Sequence, residues 1–213
     1  MAVILSSCKN TPKFSYSQDE SISSNVGVPK KAFINYFPII ESDAGTAVSY
    51  DTFHIKLYSK VLFKIGEPIL YNFYISKPVI RLTWMRPSGK PMVLSVEEID
   101  GKIQLKENGY ETLTPEDKSK HPKDTVKRIY RTKALNFEEK KKLVTLMKKN
   151  KFFEMPVSLD NSNSGTQVAI EYHDPSLYYL VYRSISDSTS NKEFREICDY
   201  IIDLSNFKSD KRY

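Results

Sequence analysis

Residues suited to covalent or metal chemistry are scarce in this 213-residue chain. There are two cysteines, Cys8 and Cys198, and three histidines, His54, His121 and His173. No Cys-x-x-Cys occurs, and no two histidines stand at a spacing such as His-x-x-x-His, so the sequence has no zinc-site signature. It also lacks a Gly-x-Ser-x-Gly elbow, a phosphate-binding glycine loop and a dinucleotide fingerprint. Ser59 and Ser88 have no evident base. The adjacent carboxylates Glu97-Glu98 and Glu138-Glu139 point apart, unlike a glycosidase pair facing across about 5–10 Å. The sequence therefore assigns no catalytic residue, no metal ligand and no cofactor. Apolar runs stay far short of the roughly 18–20 residues needed to span a bilayer. Glycine is limited to 7 residues, which disfavours a loop-dominated chain.

What is present suits a packed domain. Hydrophobic residues make up 40% and charged residues 27%, enough for a core and too apolar for wholesale disorder. The 14 tyrosines favour strands and amphipathic surfaces. The net charge of +6 is local. Residues 113–151 hold 13 Lys/Arg against 5 Asp/Glu, a surplus larger than that of the whole chain. Such a segment attracts anionic partners, but it has only Arg128 and Arg131 and no nucleic-acid motif. A lysine-rich solvated face is expected, and no nucleic-acid partner.

The sharpest functional signal is Leu5-Ser6-Ser7-Cys8. A branched apolar residue, two small residues and a cysteine have the order of a bacterial lipobox. The small residues fit the signal peptidase, and the Cys8 thiol takes the diacylglycerol. Acyl chains then hold the protein to a membrane, each buried CH₂ contributing about 0.8 kcal/mol. A signal peptide needs a basic segment and an apolar run of about 7–15 residues, and only Met1-Ala2-Val3-Ile4 precede the box. Residues 1–8 thus read as the remnant of a signal peptide. The alternative is an ordinary cytoplasmic start at Met1 with Cys8 as a bystander. Residues 9–28 follow as a flexible tether, rich in Ser, Lys and Asn and poor in bulky aliphatics. Residues 29–207 form one domain and residues 208–213 a polar tail. Cys198 falls on an apolar helix face and reads as a small buried hydrophobe. A Cys8–Cys198 bridge is the lesser alternative.

Periodicity places the elements. Phe53, Leu57, Val61 and Ile65 recur every four residues, which predicts a helix over 51–65 ending at Gly66-Glu67-Pro68. A short strand is expected over 32–37. Residues 69–75, 79–85, 92–99 and 102–106 read as successive strands. Asp100-Gly101 between the last two predicts a type I′ hairpin. Along 79–85, Trp84 shares a face with Ile80 and Leu82, while Arg81 and Thr83 lie opposite. A loop is expected over 108–124, a strand over 126–133, and a helix over 136–150 with an Asn136–Glu139 capping box. Residues 167–173 and 177–183 make a second hairpin. A last helix starts at a Ser190–Glu193 capping box, with Phe194, Ile197, Cys198, Ile201 and Ile202 on its apolar face. The order predicts an α+β fold: an antiparallel sheet of about six or more strands, with two to three helices packed on one face.

Glu171, His173 and Asp174 are the nearest approach to a chemical cluster. On a strand, Glu171 and His173 share a face and suit a shared metal or proton. The same spacing describes the solvent face of a hairpin, which is the expectation here. Tyr71, Phe73, Tyr74, Trp84 and Arg86 suit a stacking surface for sugars or peptides, or simply core packing.

Several stretches resemble a family of uncharacterised Gram-negative, Bacteroidota-type envelope lipoproteins. They are Tyr58-Ser59-Lys60 with Leu62, Glu67-Pro68-Ile69-Leu70-Tyr71-Asn72, and Arg81-Leu82-Thr83-Trp84-Met85-Arg86 with Pro91. Gly165-Thr166, Ile170-Glu171, Tyr178-Tyr179-Leu180-Val181-Tyr182-Arg183 and residues 194–204 extend the likeness, which covers 58–207. The resemblance implies an exported lipoprotein and brings no active site with it. The expected function is a membrane-tethered interaction or structural module of the cell envelope. It is held by a lipid anchor on Cys8, faces the periplasm or cell surface, and has a protein or glycan partner. An envelope hydrolase with a site assembled from distant residues is the alternative, and a cytoplasmic basic protein that binds nucleic acid the lesser one.

Overall fold

The computed structural model describes residues 29, 34–38, 52–71, 75–86, 90–112, 126–157, 166–185 and 191–207. It is an α+β fold with one antiparallel sheet. The strands are β1 (Val79–Met85), β2 (Pro91–Ile99), β3 (Lys102–Thr112), β4 (Val126–Ala134), β5 (Thr166–His173) and β6 (Tyr178–Ile185). The helices are α1 (Thr52–Lys64), α2 (Phe137–Lys149) and α3 (Lys192–Leu204), with a single 3₁₀ turn at Phe152–Glu154. The strand order is β4-β3-β2-β1-β5-β6. The first four strands form a meander. The segment containing α2 then carries the chain from the β4 edge to the free side of β1.

The local signals act as expected where their chemistry is self-contained. Asp100 and Gly101 have φ of 49° and 74°, the two positive values of a type I′ turn. That turn fixes the register from Ile99↔Lys102 through Met92↔Gly109. The Asn136 side chain accepts from the Glu139 N–H at 2.8 Å, and Glu139 accepts from the Asn136 N–H at 2.7 Å. Two helix-end donors of α2 are thus satisfied together.

Register sorts the side chains into two faces. Ile80, Leu82 and Trp84 pair with Val96, Leu94 and Met92, and Leu82 and Trp84 also pair with Ile170 and Val168. These residues join Leu143 and Met147 of α2 and Phe194, Ile197, Cys198 and Ile201 of α3 in the larger core. Trp84 is fully buried there, its ring edge-on to Phe207 at 5.9 Å. So two helices do cover one face. The third, α1, lies across the sheet. Its Tyr58 and Leu62, with Ile65 just beyond, pack with Val93, Ala169 and Leu180 in a second core. The inner strands are thus covered on both sides, and β1 is buried at five consecutive positions.

Some expectations are corrected. β3 continues to Thr112 through residues expected to be loop, because β4 pairs with it from Gln104↔Ala134 to Thr112↔Val126. Ile69, Leu70 and Tyr71 are not in a strand; they run from α1 across the second core. Residues 34–38 are likewise not strand, and Tyr36 packs as a buried ring. The N-cap of α3 is Asn191, at φ 54° and without a side-chain cap bond; Ser190 lies outside the described residues. Gly109 is required by close packing, since a Cβ there would stand 2.4 Å from the Pro91 carbonyl oxygen.

Candidate functional site

The end of α1 builds the site. Gly66 adopts φ 72°, and its N–H donates to the Phe63 carbonyl at 3.0 Å. The Glu67 N–H donates to the Leu62 carbonyl at 2.9 Å. These two bonds form a Schellman stop, which satisfies helix-end carbonyls and turns the chain onto the sheet. Ile69 and Leu70 then bury beside Val93 and Leu180, which brings Glu67 and Pro68 over the polar side of β1. The Tyr36 hydroxyl donates to the Glu67 carbonyl at 2.8 Å, and the Tyr36 N–H to Ser59 Oγ at 2.9 Å.

Arg81 is the hub and is only 1% exposed. Its Nε donates to Glu171 Oε2 at 2.6 Å, and its Nη1 donates to the Pro68 carbonyl at 2.5 Å. Glu67 Oε2 stands 3.7 Å from Nη1. Arg81 and Glu171 are direct register partners on β1 and β5. The Tyr178 hydroxyl donates to the other Glu171 oxygen at 2.9 Å. Burial works against the Arg81 charge, but the Glu171 carboxylate and its hydrogen bond more than offset it, holding the guanidinium pKa above its ordinary value. Geometry and hydrogen bonding thus stabilise a fully desolvated ion pair.

Asn108 extends the network. Its Nδ2 donates to the Ile65 carbonyl at 3.0 Å and to Glu67 Oε1 at 2.7 Å. Both targets only accept, so the amide orientation is fixed by its surroundings. The Arg128 Nη2 donates to the same Ile65 carbonyl at 2.7 Å. A cationic side chain at the C-terminal end of α1 also complements the helix dipole.

Glu67, Pro68, Arg81 and Asn108 border a cleft of about 430 Å³. Ser95 lies between Arg81 and Lys106 in one cross-strand row, Arg81↔Ser95↔Lys106. The Lys106–Glu97 ion pair and the 64%-exposed ring of Tyr130 also line it, and Ile75 and Val79 supply apolar surface. Arg81 Nη2 and Asn108 Oδ1 are buried with no hydrogen-bond partner among the described residues. The arrangement is equipped to bind. Among the described residues, no nucleophile is held by a base in this cleft, and His173 is not part of its lining.

The three residues singled out in sequence behave differently from one another. Glu171 and His173 do share a face, but that face is covered, and both are fully buried rather than solvated. The cause is α1 and the 65–71 segment, which sequence alternation does not reveal. Glu171 is held by Arg81 and Tyr178. The His173 ring stacks edge-on to Tyr178 at 5.8 Å. Burial pushes its pKa down to about 4, against weaker upward pulls from Asp174 and the Leu70 backbone, so it is neutral at pH 7. Asp174 belongs to the turn and accepts from the N–H and hydroxyl of Ser176, the Leu177 N–H and the Tyr172 hydroxyl. No group of three or more His, Cys, Asp or Glu among the described residues is placed to hold a metal ion. Cys8 and His121 lie outside the described residues, as does the side chain of His54. Cys198 is a buried free thiol whose pKa burial raises well above the usual value.

Sequence reasoning missed Arg81, Glu67 and Asn108. One signal was available: Arg81 and Glu171 are opposite charges, each the one charged Lys, Arg, Asp or Glu residue of its strand. The basic segment is drawn largely into local contacts. Lys140 binds Glu98, Lys149 binds Glu196, Arg131 binds Glu111, and Lys133 donates to the Leu204 carbonyl. No family model, no curated protein and no solved structure matches the chain.

Proposed function

We propose that this protein is a lipid-tethered binding module of the cell envelope, anchored through Cys8 and facing the periplasm or cell surface. The observation that carries the reading is Leu5-Ser6-Ser7-Cys8 followed by a long polar stretch. That is the layout of an acylated cysteine with a leash behind it. The leash lets a folded domain sample a volume above the membrane. The cleft beside Arg81 is the part of that domain suited to a protein or glycan partner, because its charged groups are fixed by one another and its rim is open. The likeness to envelope lipoproteins over residues 58–207 supports the same reading.

The test is metabolic labelling. The gene is expressed with its upstream region in a bacterium that acylates lipoproteins, in the presence of labelled palmitate. Label in the wild-type protein and its loss in Cys8→Ala, with release from the membrane fraction, is the expected result. Membrane association unchanged by Cys8→Ala removes the basis of the proposal.

A further inference from the structure

Helix α1 differs from the other two helices in charge. Its 13 residues include Lys56, Lys60 and Lys64 and no Asp or Glu, whereas α2 and α3 carry acids of their own. The three lysines stand at i, i+4 and i+8, so they form one row about 12 Å long on one side of the helix. All three are exposed, because Tyr58 and Leu62 turn the other side of α1 into the second core. Lys56 and Lys60 make no ion pair or hydrogen bond among the described residues, and Lys64 only reaches over the Tyr110 ring, 5.7 Å from its centre.

Such a row works against its own helix, since like charges at i, i+4 repel. Elsewhere lysines are matched: Lys77 and Lys140 to Glu98, Lys106 to Glu97, and Lys149 to Glu196. Around α1 the matching charge is lacking. Glu67, the first carboxylate after the helix, is turned inward, its Oε1 accepting from Asn108 and its Oε2 standing near Arg81. The group that meets the C-terminal end of α1 is a fourth cation, the exposed Arg128, which donates to the Ile65 carbonyl at 2.7 Å. Leu57, Val61 and Phe63 are half-buried beside the lysines and add apolar surface to the same side. An anionic surface outside the chain supplies what this side lacks.

We propose that the outer side of α1 rests on an anionic phospholipid bilayer, with Lys56, Lys60, Lys64 and Arg128 facing the head-group phosphates and Leu57, Val61 and Phe63 at the head-group boundary. A row of point charges without a shaped pocket suits a continuous sheet of negative charge. Nucleic-acid readers interleave Arg and aromatics in a motif, and this row has one Arg and no motif. The half-buried aliphatics also suit lipid better than a phosphodiester backbone. Nearness of a membrane rests on the lipid-tether reading. A tethered domain needs only a weak second contact, because the anchor raises its local concentration at the bilayer, and one acyl chain with a basic patch makes a stable attachment.

The test is vesicle sedimentation with the full-length Cys8→Ala protein. No acyl chain contributes, so this result and the palmitate labelling stand or fall separately. Vesicles hold equal parts of phosphatidylglycerol and phosphatidylcholine, or phosphatidylcholine alone. Half-binding at roughly millimolar lipid is expected on the anionic vesicles, weakening as salt is raised, with none on phosphatidylcholine. Near such a surface each lysine is worth about fivefold in partitioning, so replacing Lys56, Lys60 and Lys64 together by Gln should weaken binding roughly a hundredfold. The melting temperature should not fall, because Gln is a good helix former and the i, i+4 repulsion is relieved. Replacing Lys102, Lys141 and Lys148 by Gln removes the same charge from exposed positions on the β2–β3 turn and α2, and should weaken binding less than about fivefold. If the α1 triple variant does not fold, Lys60→Gln alone decides, with a loss of about fivefold expected. Equal losses in the two triple variants overturn the proposal, as do full binding by folded Lys60→Gln, binding indifferent to phosphatidylglycerol, or capture of a DNA duplex or an acidic peptide with no vesicle binding.

Discussion

Replacing Arg81 by Met tests whether the second face of the sheet is organised by charge. The substitution keeps an unbranched side chain of similar length and removes the guanidinium. Glu171 Oε2 then loses its 2.6 Å donor and the Pro68 carbonyl its 2.5 Å donor. Glu171 is fully buried and, among the described residues, keeps only the Tyr178 hydroxyl. Removing one partner of such a pair costs about 3–5 kcal/mol, because the other charge stays desolvated. Domains of this kind have about 5–15 kcal/mol in total, so Arg81→Met should sit near the edge of folding. Glu171→Leu alone should cost a comparable amount, leaving Arg81 with Glu67 at 3.7 Å. The double variant leaves no buried charge of the pair behind and forfeits mainly the hydrogen bonds to Pro68 and Tyr178, about 1–3 kcal/mol. The double-mutant cycle should therefore give a coupling of at least about 2 kcal/mol. Urea denaturation followed by Trp84 fluorescence suits the measurement, since the single tryptophan is fully buried on the other face. A single-variant cost under about 1 kcal/mol, or additive losses, would refute the reasoning.

Acid should weaken the fold through His173, whose folded pKa of about 4 lies below its ordinary 6.5. The unfolded chain binds the proton first, so the His173 contribution to stability falls as pH drops from 6.5 to about 4, by about 3 kcal/mol, and this group adds no further loss below. Denaturation midpoints across that range check this, and His173→Asn should flatten the slope. Gly109→Ala should cost about 1–3 kcal/mol or more, because the new Cβ meets the Pro91 carbonyl oxygen at 2.4 Å and backbone must move. A melting temperature unchanged by that substitution would contradict the tight β2–β3 contact.

Much of the architecture was legible because its causes are local. Asp100-Gly101 fixes a turn through the backbone geometry of two residues. Asn136 and Glu139 cap a helix across three residues. The alternation in β1 separates Trp84 from Arg81 without reference to any other strand. The candidate site was not legible in the same way. Alternation says which side of a sheet a residue faces, but not whether that side is covered. Glu171 and His173 therefore read as solvated, and they are buried under chain that lies about 100 residues away in sequence. Arg81 meets Glu171 only because β5 docks beside β1 after a crossing that leaves the β4 edge and includes α2. Asn108 acquires its role only because α1 ends at Gly66 above it.

The sequence by itself determined the class of fold, the central hairpins and the side of the sheet each residue faces, because period, turn chemistry and caps act over a few residues. The tertiary structure alone decided that the polar side of β1 is buried and that Arg81, Glu171, Glu67 and Asn108 form one network around a cleft. Burial depends on which distant segment packs above a residue, and a buried charge is stable only where that packing also supplies its partner.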